Sequence, residues 1–268
     1  MILRTVSATL AALWVAGSAL AACPEASDGH ADFYPTAERL PENLLRIYVY
    51  FPRAMGKQEG VETVQLLDDK GDPLPGVFLA NRSDLWSPDQ HRLTMLLDPG
   101  RVKTGLIANA ELGRALVPGR MYAFEVSGTA LDADGCPLGT NTRHEFMVTA
   151  ADLDPPDPAR WTLNAPAAKT TEPLIVSLGS AHDHLSLAFR LRVHDAKGRS
   201  LAGAITLGAG EETWQFTPRN PWSATPYDLV IDETLEDLAG NRPGQLFDRP
   251  IAREPVPWTQ KLQFTPHS

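Results

Sequence analysis

A chain of 268 residues with 43% hydrophobic and 21% charged side chains is long enough for two domains of ordinary size and too apolar to stay unfolded. Its net charge of −9, with acidic and basic residues interspersed, leaves no basic stripe for phosphates, so neither nucleic acid nor an anionic membrane face is an expected partner. The 20 glycines and 23 prolines point to many short elements joined by turns.

The first 22 residues read as an export signal, with Arg4 as a sparse positive start, Ala8 to Ala19 as an apolar run and small residues closing it. Two processing outcomes compete at its end. Leu20-Ala21-Ala22-Cys23 resembles the bacterial lipobox, whose cysteine thiol is acylated, which makes Cys23 the expected lipid anchor. Cleavage after Ala19-Leu20-Ala21 would instead leave Cys23 free to pair with Cys136, the other cysteine, in an oxidising compartment. No later apolar run approaches the roughly 20 residues that a spanning helix needs.

Further along, alternation dominates over a 3.6-residue period. Leu45, Ile47, Val49 and Phe51 alternate with Arg46, Tyr48 and Tyr50, which predicts a strand with the first set inward and the tyrosines outward. Residues 98–119 are punctuated by Gly and Pro and read as a loop insertion with room for one short helix. Residues 151–160 read as a linker, because Pro155-Pro156 and Pro158 stiffen the chain and cannot pair in a sheet. If extended, His182-Asp183-His184 would place two imidazoles on one face. Leu187, Phe189, Leu191 and Val193 then alternate with Ala188, Arg190 and Arg192 as a half-buried strand, and Tyr227 to Asp232 forms another with Leu229 and Ile231 on one side. Beyond Phe247, the proline-free end Thr259 to Thr265 is suited to adding a strand to a neighbouring protein.

Self-comparison finds three landmarks repeated in one order. Val64-Gln65-Leu66-Leu67-Asp68-Asp69-Lys70-Gly71 aligns with Leu191-Arg192-Val193-His194-Asp195-Ala196-Lys197-Gly198. A tryptophan with a nearby proline follows in each half, as Trp86 with Pro88 and as Trp214 with Pro218. Tyr122, Asp132 and Gly135 have the spacing of Tyr227, Asp237 and Gly240. Gly71 and Gly198 are 127 residues apart and Gly135 and Gly240 only 105, so the first copy carries the additional segment near 98–119. Short strands in two such copies indicate two sandwiches rather than one barrel.

The run Leu40-Pro41-Glu42-Asn43-Leu44-Leu45-Arg46-Ile47-Tyr48-Val49-Tyr50-Phe51, with Leu97-Asp98-Pro99-Gly100-Arg101 and Leu235-Glu236-Asp237-Leu238-Ala239-Gly240-Asn241, resembles bacterial proteins that carry SbsA-type Ig-like domains. The likeness extends over about residues 33 to 248. It implies a β-sandwich and an envelope or extracellular setting, and it implies no established reaction, so no catalytic residues carry over. The expected organisation is all-β: two tandem Ig-like β-sandwich domains after an N-terminal signal sequence. The signal peptide is 1–22, the first domain 23–150 with its insertion, the linker 151–160, the second domain 161–248 and the C-terminal tail 249–268.

The sequence has no G-x-S-x-G elbow, H-E-x-x-H helix, Walker loop, G-x-G-x-x-G or C-x-x-C, so neither an enzyme nor a cofactor is expected. Placing Gly135 sixth in an EF-hand puts Ala130 first and Asn141 twelfth, which removes the first ligand and the bidentate acid. A looser cation site at Asp132 and Asp134, or at Asp237 and Asn241, competes with an Asx-type turn. His182 and His184 are weak candidates for a metal site, short of the ligands a closed zinc site needs. Tyr48 and Tyr50 are weak candidates for glycan or peptide binding. Trp86 and Trp214 read as core anchors, Tyr122 and Tyr227 resemble the tyrosine corner, and Trp222 and Trp258 lie beside prolines. The expected function is a noncatalytic exported binding or structural module whose partner is another envelope protein or a surface polymer. A metal-handling accessory or enzyme near His182 and His184, and a glycan-binding module, are the alternatives.

Overall fold

The computed structural model describes Cys23 and residues 30–56, 60–79, 85–103, 106–248 and 258–267. The signal peptide expected over 1–22 and the prolines at 255 and 257 lie outside these residues.

The first half packs two sheets face to face. One has the strand order β1 (Asp32–Tyr34), β3 (Arg46–Tyr50), β6 (Arg92–Leu96), β5 (Leu85–Trp86); the other has β2 (Arg39–Pro41), β8 (Thr142–Thr149), β7 (Met121–Val126), β4 (Val64–Leu67). The second half repeats the plan with β9 (Thr162–Asn164), β10 (Leu174–Ser177), β13 (Thr213–Pro218), β12 (Gly203–Leu207) facing β11 (Leu191–His194), β14 (Tyr227–Ile231), β15 (Lys261–Phe264). Neighbours pair antiparallel except β2, which lies parallel to β8. Ile47, Val49, Leu93, Phe124 and Phe146 fill one core and Val176, Trp214, Phe216, Leu229 and Ile231 the other. Each such side chain contributes about 1.5–3 kcal/mol on leaving water. The clusters change over between Val148 and Trp161, and Leu238 enters the first core from the second half, with Ala181 and Phe247 packed against it. The protein is therefore two tandem Ig-like β-sandwich domains.

The repeat has a local chemical basis. Asp68, Asp132, Asp195 and Asp237 each open the same five-residue loop, in which one carboxylate oxygen accepts from the backbone N–H groups two and four residues later at 2.8–3.0 Å. The glycine three residues on adopts φ of 76 to 85° in every case, a conformation that side chains disfavour. The carboxylates suspected as cation ligands at Asp132 and Asp237 are thus turn formers.

Four expectations need correction. The alternation from Leu187 to Val193 is not one strand, because α4 (His184–Arg190) precedes β11. Asp183 caps that helix by accepting from Ser186 N–H at 2.8 Å, and Leu187 and Leu191, four apart, both point inward. Phe189 is consequently turned outward. The tail does not wait for a neighbour: β15 pairs with β14 as β8 pairs with β7, so Lys261–Phe264 belongs to the second domain rather than to a tail beginning at 249. The 98–119 insertion holds two helices, α2 (Pro99–Val102) and α3 (Ile107–Leu112), where one was expected, and Val102 and Leu116 bury themselves in the first core. A further short helix, α1 (Gly60–Thr63), leads into β4.

The fourth correction concerns Cys23, which is disulfide-bonded to Cys136 at the end of the Asp132 loop, with Cα atoms 5.4 Å apart. The sulfur expected to carry a lipid anchor is committed to that bond, and an acylated Cys23 and this disulfide exclude each other. Among the described residues, no helix is long and apolar enough to cross a membrane.

Candidate functional site at the domain junction

The densest polar constellation lies where β3 of the first domain meets α4 and the Asp237 loop of the second. Tyr48, placed outward by its alternation, is only 3% exposed because the second domain covers that face of β3. Its hydroxyl donates to the Asp183 carboxylate at 2.8 Å, and burial, followed by the Asp183 charge, pushes the phenol far above its ordinary pKa. Asp183 therefore does three things: it caps α4, accepts from Tyr48 and faces the Arg46 Nε at 3.0 Å. Arg46 also pairs with Glu236, whose other oxygen accepts from Arg242 at 2.7 Å. The Glu236 N–H donates to Ser186 Oγ, and Leu45 N–H to the Leu238 carbonyl at 2.9 Å. Gly240 is required here twice over, since its φ is 78° and a Cβ would meet Leu45 Cδ2 at 2.5 Å.

A second patch is built on Glu211, which is 1% exposed. Its carboxylate accepts from Thr36 N–H at 2.7 Å and faces His184 Nδ1 at 3.3 Å, while Thr36 Oγ1 accepts from Gly210 N–H at 2.8 Å. The His184 ring lies 3.8 Å from that of Tyr34, and Tyr50 packs edge-on against both. Tyr50 is thus part of an interdomain aromatic cluster.

The linker is held by a third patch. Asn43 brackets Asp152, donating to its carbonyl at 2.9 Å and accepting from its N–H at 2.8 Å. Asn241 donates to the same carbonyl and to Asp237 Oδ2. Burial, with the Asp152 charge second, pushes Asp237 up to about 7, and burial also raises Asp152.

His182 and His184 do not converge. His182 is buried beside the Trp161 ring, with Nδ1 2.9 Å from the Ser180 carbonyl, which can only accept, so Nδ1 carries the proton. Among the described residues Nε2 has no hydrogen-bond partner, and burial pushes the imidazole down to about 4, so it is neutral at ordinary pH. Capping by Asp183 starts a helix between the two histidines and turns their side chains to different neighbours. Among the described residues, no group of three or more His, Cys, Asp or Glu is placed to hold a metal ion.

Other aromatic residues serve the cores. Trp214 is fully buried and donates to the Leu187 carbonyl, and Trp86 packs against Phe51 at 5.4 Å. The Tyr227 hydroxyl accepts from Ser223 N–H at 3.0 Å, the bond a tyrosine corner makes. Trp222 is buried and donates to Glu172 O, and Trp258 packs on the second core. Sequence reading missed Arg46, Asp183, Glu211 and Glu236 as a set. Asp183 carried a signal, since a cap residue precedes Leu187 and Leu191 at helical spacing; Glu211 and Glu236 carried none. Carboxylates matched by guanidinium, hydroxyl and N–H groups form a structural lock between domains.

Fold and junction together define a tandem Ig-like module with buried polar contacts between its domains. No protein-family model matches the chain, and no curated protein matches its sequence. Among solved structures, the chain is similar to native alpha-2-macroglobulin from Escherichia coli spanning domains MG0-NIE-MG1, at 12% identity over 88% of this chain and 71% of that one, with a TM-score of 0.27. It is also similar to the I9-I11 tandem from titin, at 10% identity over 74% and 59% of the two chains with a TM-score of 0.21. A third likeness is to the N-terminal four Ig domains of Dscam1 isoform 1.9, at 12% identity over 75% and 46% with a TM-score of 0.23. These likenesses concern the fold alone.

Proposed function

We propose that the chain is a noncatalytic, exported binding or structural module of the bacterial cell envelope that presents two Ig-like sandwiches in one fixed orientation. The observation that carries this reading is the buried contact of Tyr48 and Arg46 with Asp183 across the junction. Leaving such a group buried without its partner costs about 3–5 kcal/mol, so the contact penalises misaligned dockings and selects one orientation. The leader-like first 22 residues and the pairing of Cys23 with Cys136 support an oxidising, exported setting. The SbsA-like motifs favour the same address, and the partner is another envelope protein or a surface polymer.

Cell fractionation followed by intact-mass measurement tests the reading. The expected result is recovery from the envelope or periplasm, with the first 21 residues removed and the mass reduced by two hydrogens for the disulfide. Recovery from the cytoplasm with the leader attached and both thiols free would overturn it.

A further inference from the structure

We propose that the cleft between α4 and β3 is a docking site for an acidic polypeptide segment that carries aromatic side chains; this deepens, and rests on, the reading of the chain as a binding module. Phe189 is the side chain that asks for a partner. It is 57% exposed, and among the described residues no other phenylalanine, tyrosine or tryptophan is in the exposed class. The phase of α4 forces this, since Leu187 and Leu191 take the core and leave position 189 on the outside. Leu185, one turn earlier, lines the same cleft, and so do Arg46, Arg190, Arg192 and Arg242.

The charge of the cleft runs against that of the molecule, which is −9. Its carboxylates, Asp183 and Glu236, lie at the bottom and already face Arg46 and Arg242. Guanidinium groups form the rim: the Arg190 and Arg242 side chains are 46% and 44% exposed, and Arg190 faces Asp232 only at 3.9 Å. Arg192 donates to the Ala188 and Leu191 carbonyls. A recessed surface where exposed arginines surround an aromatic ring has the composition of an interaction hot spot. The arginines supply forks for carboxylates and the phenyl ring a platform for an aromatic anchor. A uniformly dense polyanion would feel the repulsion of the whole chain, whereas a short acidic segment with an apolar anchor meets only the local field. The recess also suits a narrow polypeptide better than a flat lipid surface.

Fluorescence anisotropy of a labelled random copolymer of glutamate and tyrosine, titrated with the full chain, tests this. Poly-glutamate, polyphosphate and phosphatidylglycerol vesicles are the comparison probes. The copolymer is expected to bind more tightly than all three. Phe189→Ala, and separately Arg190→Ala with Arg192→Ala, are each expected to weaken it roughly tenfold or more. Arg143→Ala, the loss of an exposed arginine on β8, is expected to leave binding unchanged. These side chains lie outside both cores, so the variants should melt as the parent does. Equal affinity for poly-glutamate and the copolymer, stronger capture of polyphosphate or vesicles, or insensitivity to Phe189→Ala would each overturn the site. A null result with the envelope address and mature mass intact removes this docking site and leaves the proposed function standing; a cytoplasmic, unprocessed chain does the reverse.

Discussion

Asp237 shows what a single residue at the junction costs and contributes. Its carboxylate accepts from Ala239 N–H, Asn241 N–H and Asn241 Nδ2, yet burial dominates and moves its pKa from 3.8 to about 7. A folded pKa above the unfolded one means that the folded chain holds the proton more tightly. The contribution is therefore complete below about pH 4 and lost as pH rises through about 7. His182 runs the other way: burial lowers it from 6.5 to about 4, so its contribution is complete above 6.5 and lost as pH falls towards 4. The two slopes oppose one another over most of that window, which hides both in the parent protein. Asp237→Asn should uncover the histidine: from pH 4 to 7, its unfolding free energy relative to the parent is expected to rise by up to about 1.4 kcal/mol per pH unit. Urea unfolding at several pH values reads this directly, and a difference that stays flat with pH would show that Asp237 titrates alike in both states. None of this was legible in the sequence, where Asp237 read as a turn former or a loose cation ligand. Burial of a carboxylate depends on what folds over it, and Leu45, which meets Gly240 across the junction, is almost 200 residues away.

At the scale of elements, legibility followed locality. The Asp loops were readable because a carboxylate at the first position and a glycine at the fourth encode the turn within five residues. The segment from Leu187 to Val193 was not, because Leu187 and Leu191 satisfy a strand period of two and a helical spacing of four alike; the cap at Asp183 decides between them. The final strand was missed for another reason, since 29 residues separate the end of β14 from the start of β15 and hid its equivalence to β8. That equivalence has a consequence for stability. Phe264 on β15 stacks against Tyr227 at 5.7 Å and meets Trp222 edge-on at 5.6 Å, so it completes the second core. Ending the chain at Phe247 is expected to abolish cooperative unfolding of the second domain and its near-ultraviolet circular dichroism. Phe264→Ala should cost about 3–5 kcal/mol in urea unfolding. A truncated chain whose second domain keeps cooperative unfolding and its near-ultraviolet signal would show that β15 is an accessory strand.

At the scale of the molecule, the repeat announced two sandwiches but not how they meet. The deciding contacts link Tyr48 to Asp183 and Thr36 to Glu211, pairs separated by 135 and 175 residues, and no local pattern connects them. A tandem joined only by a Pro-rich linker would sample many orientations. Here Asn43 and Asn241 hold the linker at Asp152, and the two carboxylate patches fix the domains on either side of it. Asp183 and Glu211 are both nearly inaccessible, so removing their partners leaves charges that are expensive to bury, and separating the domains is the cheapest way to rehydrate them. Tyr48→Phe removes one hydrogen bond and should lower stability by about 1–2 kcal/mol while preserving the orientation. Tyr48→Phe with Arg46→Met takes both first-domain partners from Asp183, and Thr36→Val takes the hydroxyl, though not the backbone N–H, from Glu211; together they should release the domains. The expected signature is a larger radius of gyration and a broadened distance distribution in small-angle X-ray scattering, with the single thermal transition expected of the parent split into two. If the triple variant scatters as the parent does, the backbone bond from Leu45 N–H to the Leu238 carbonyl and the burial of Leu238 in the first core hold the domains without these side chains.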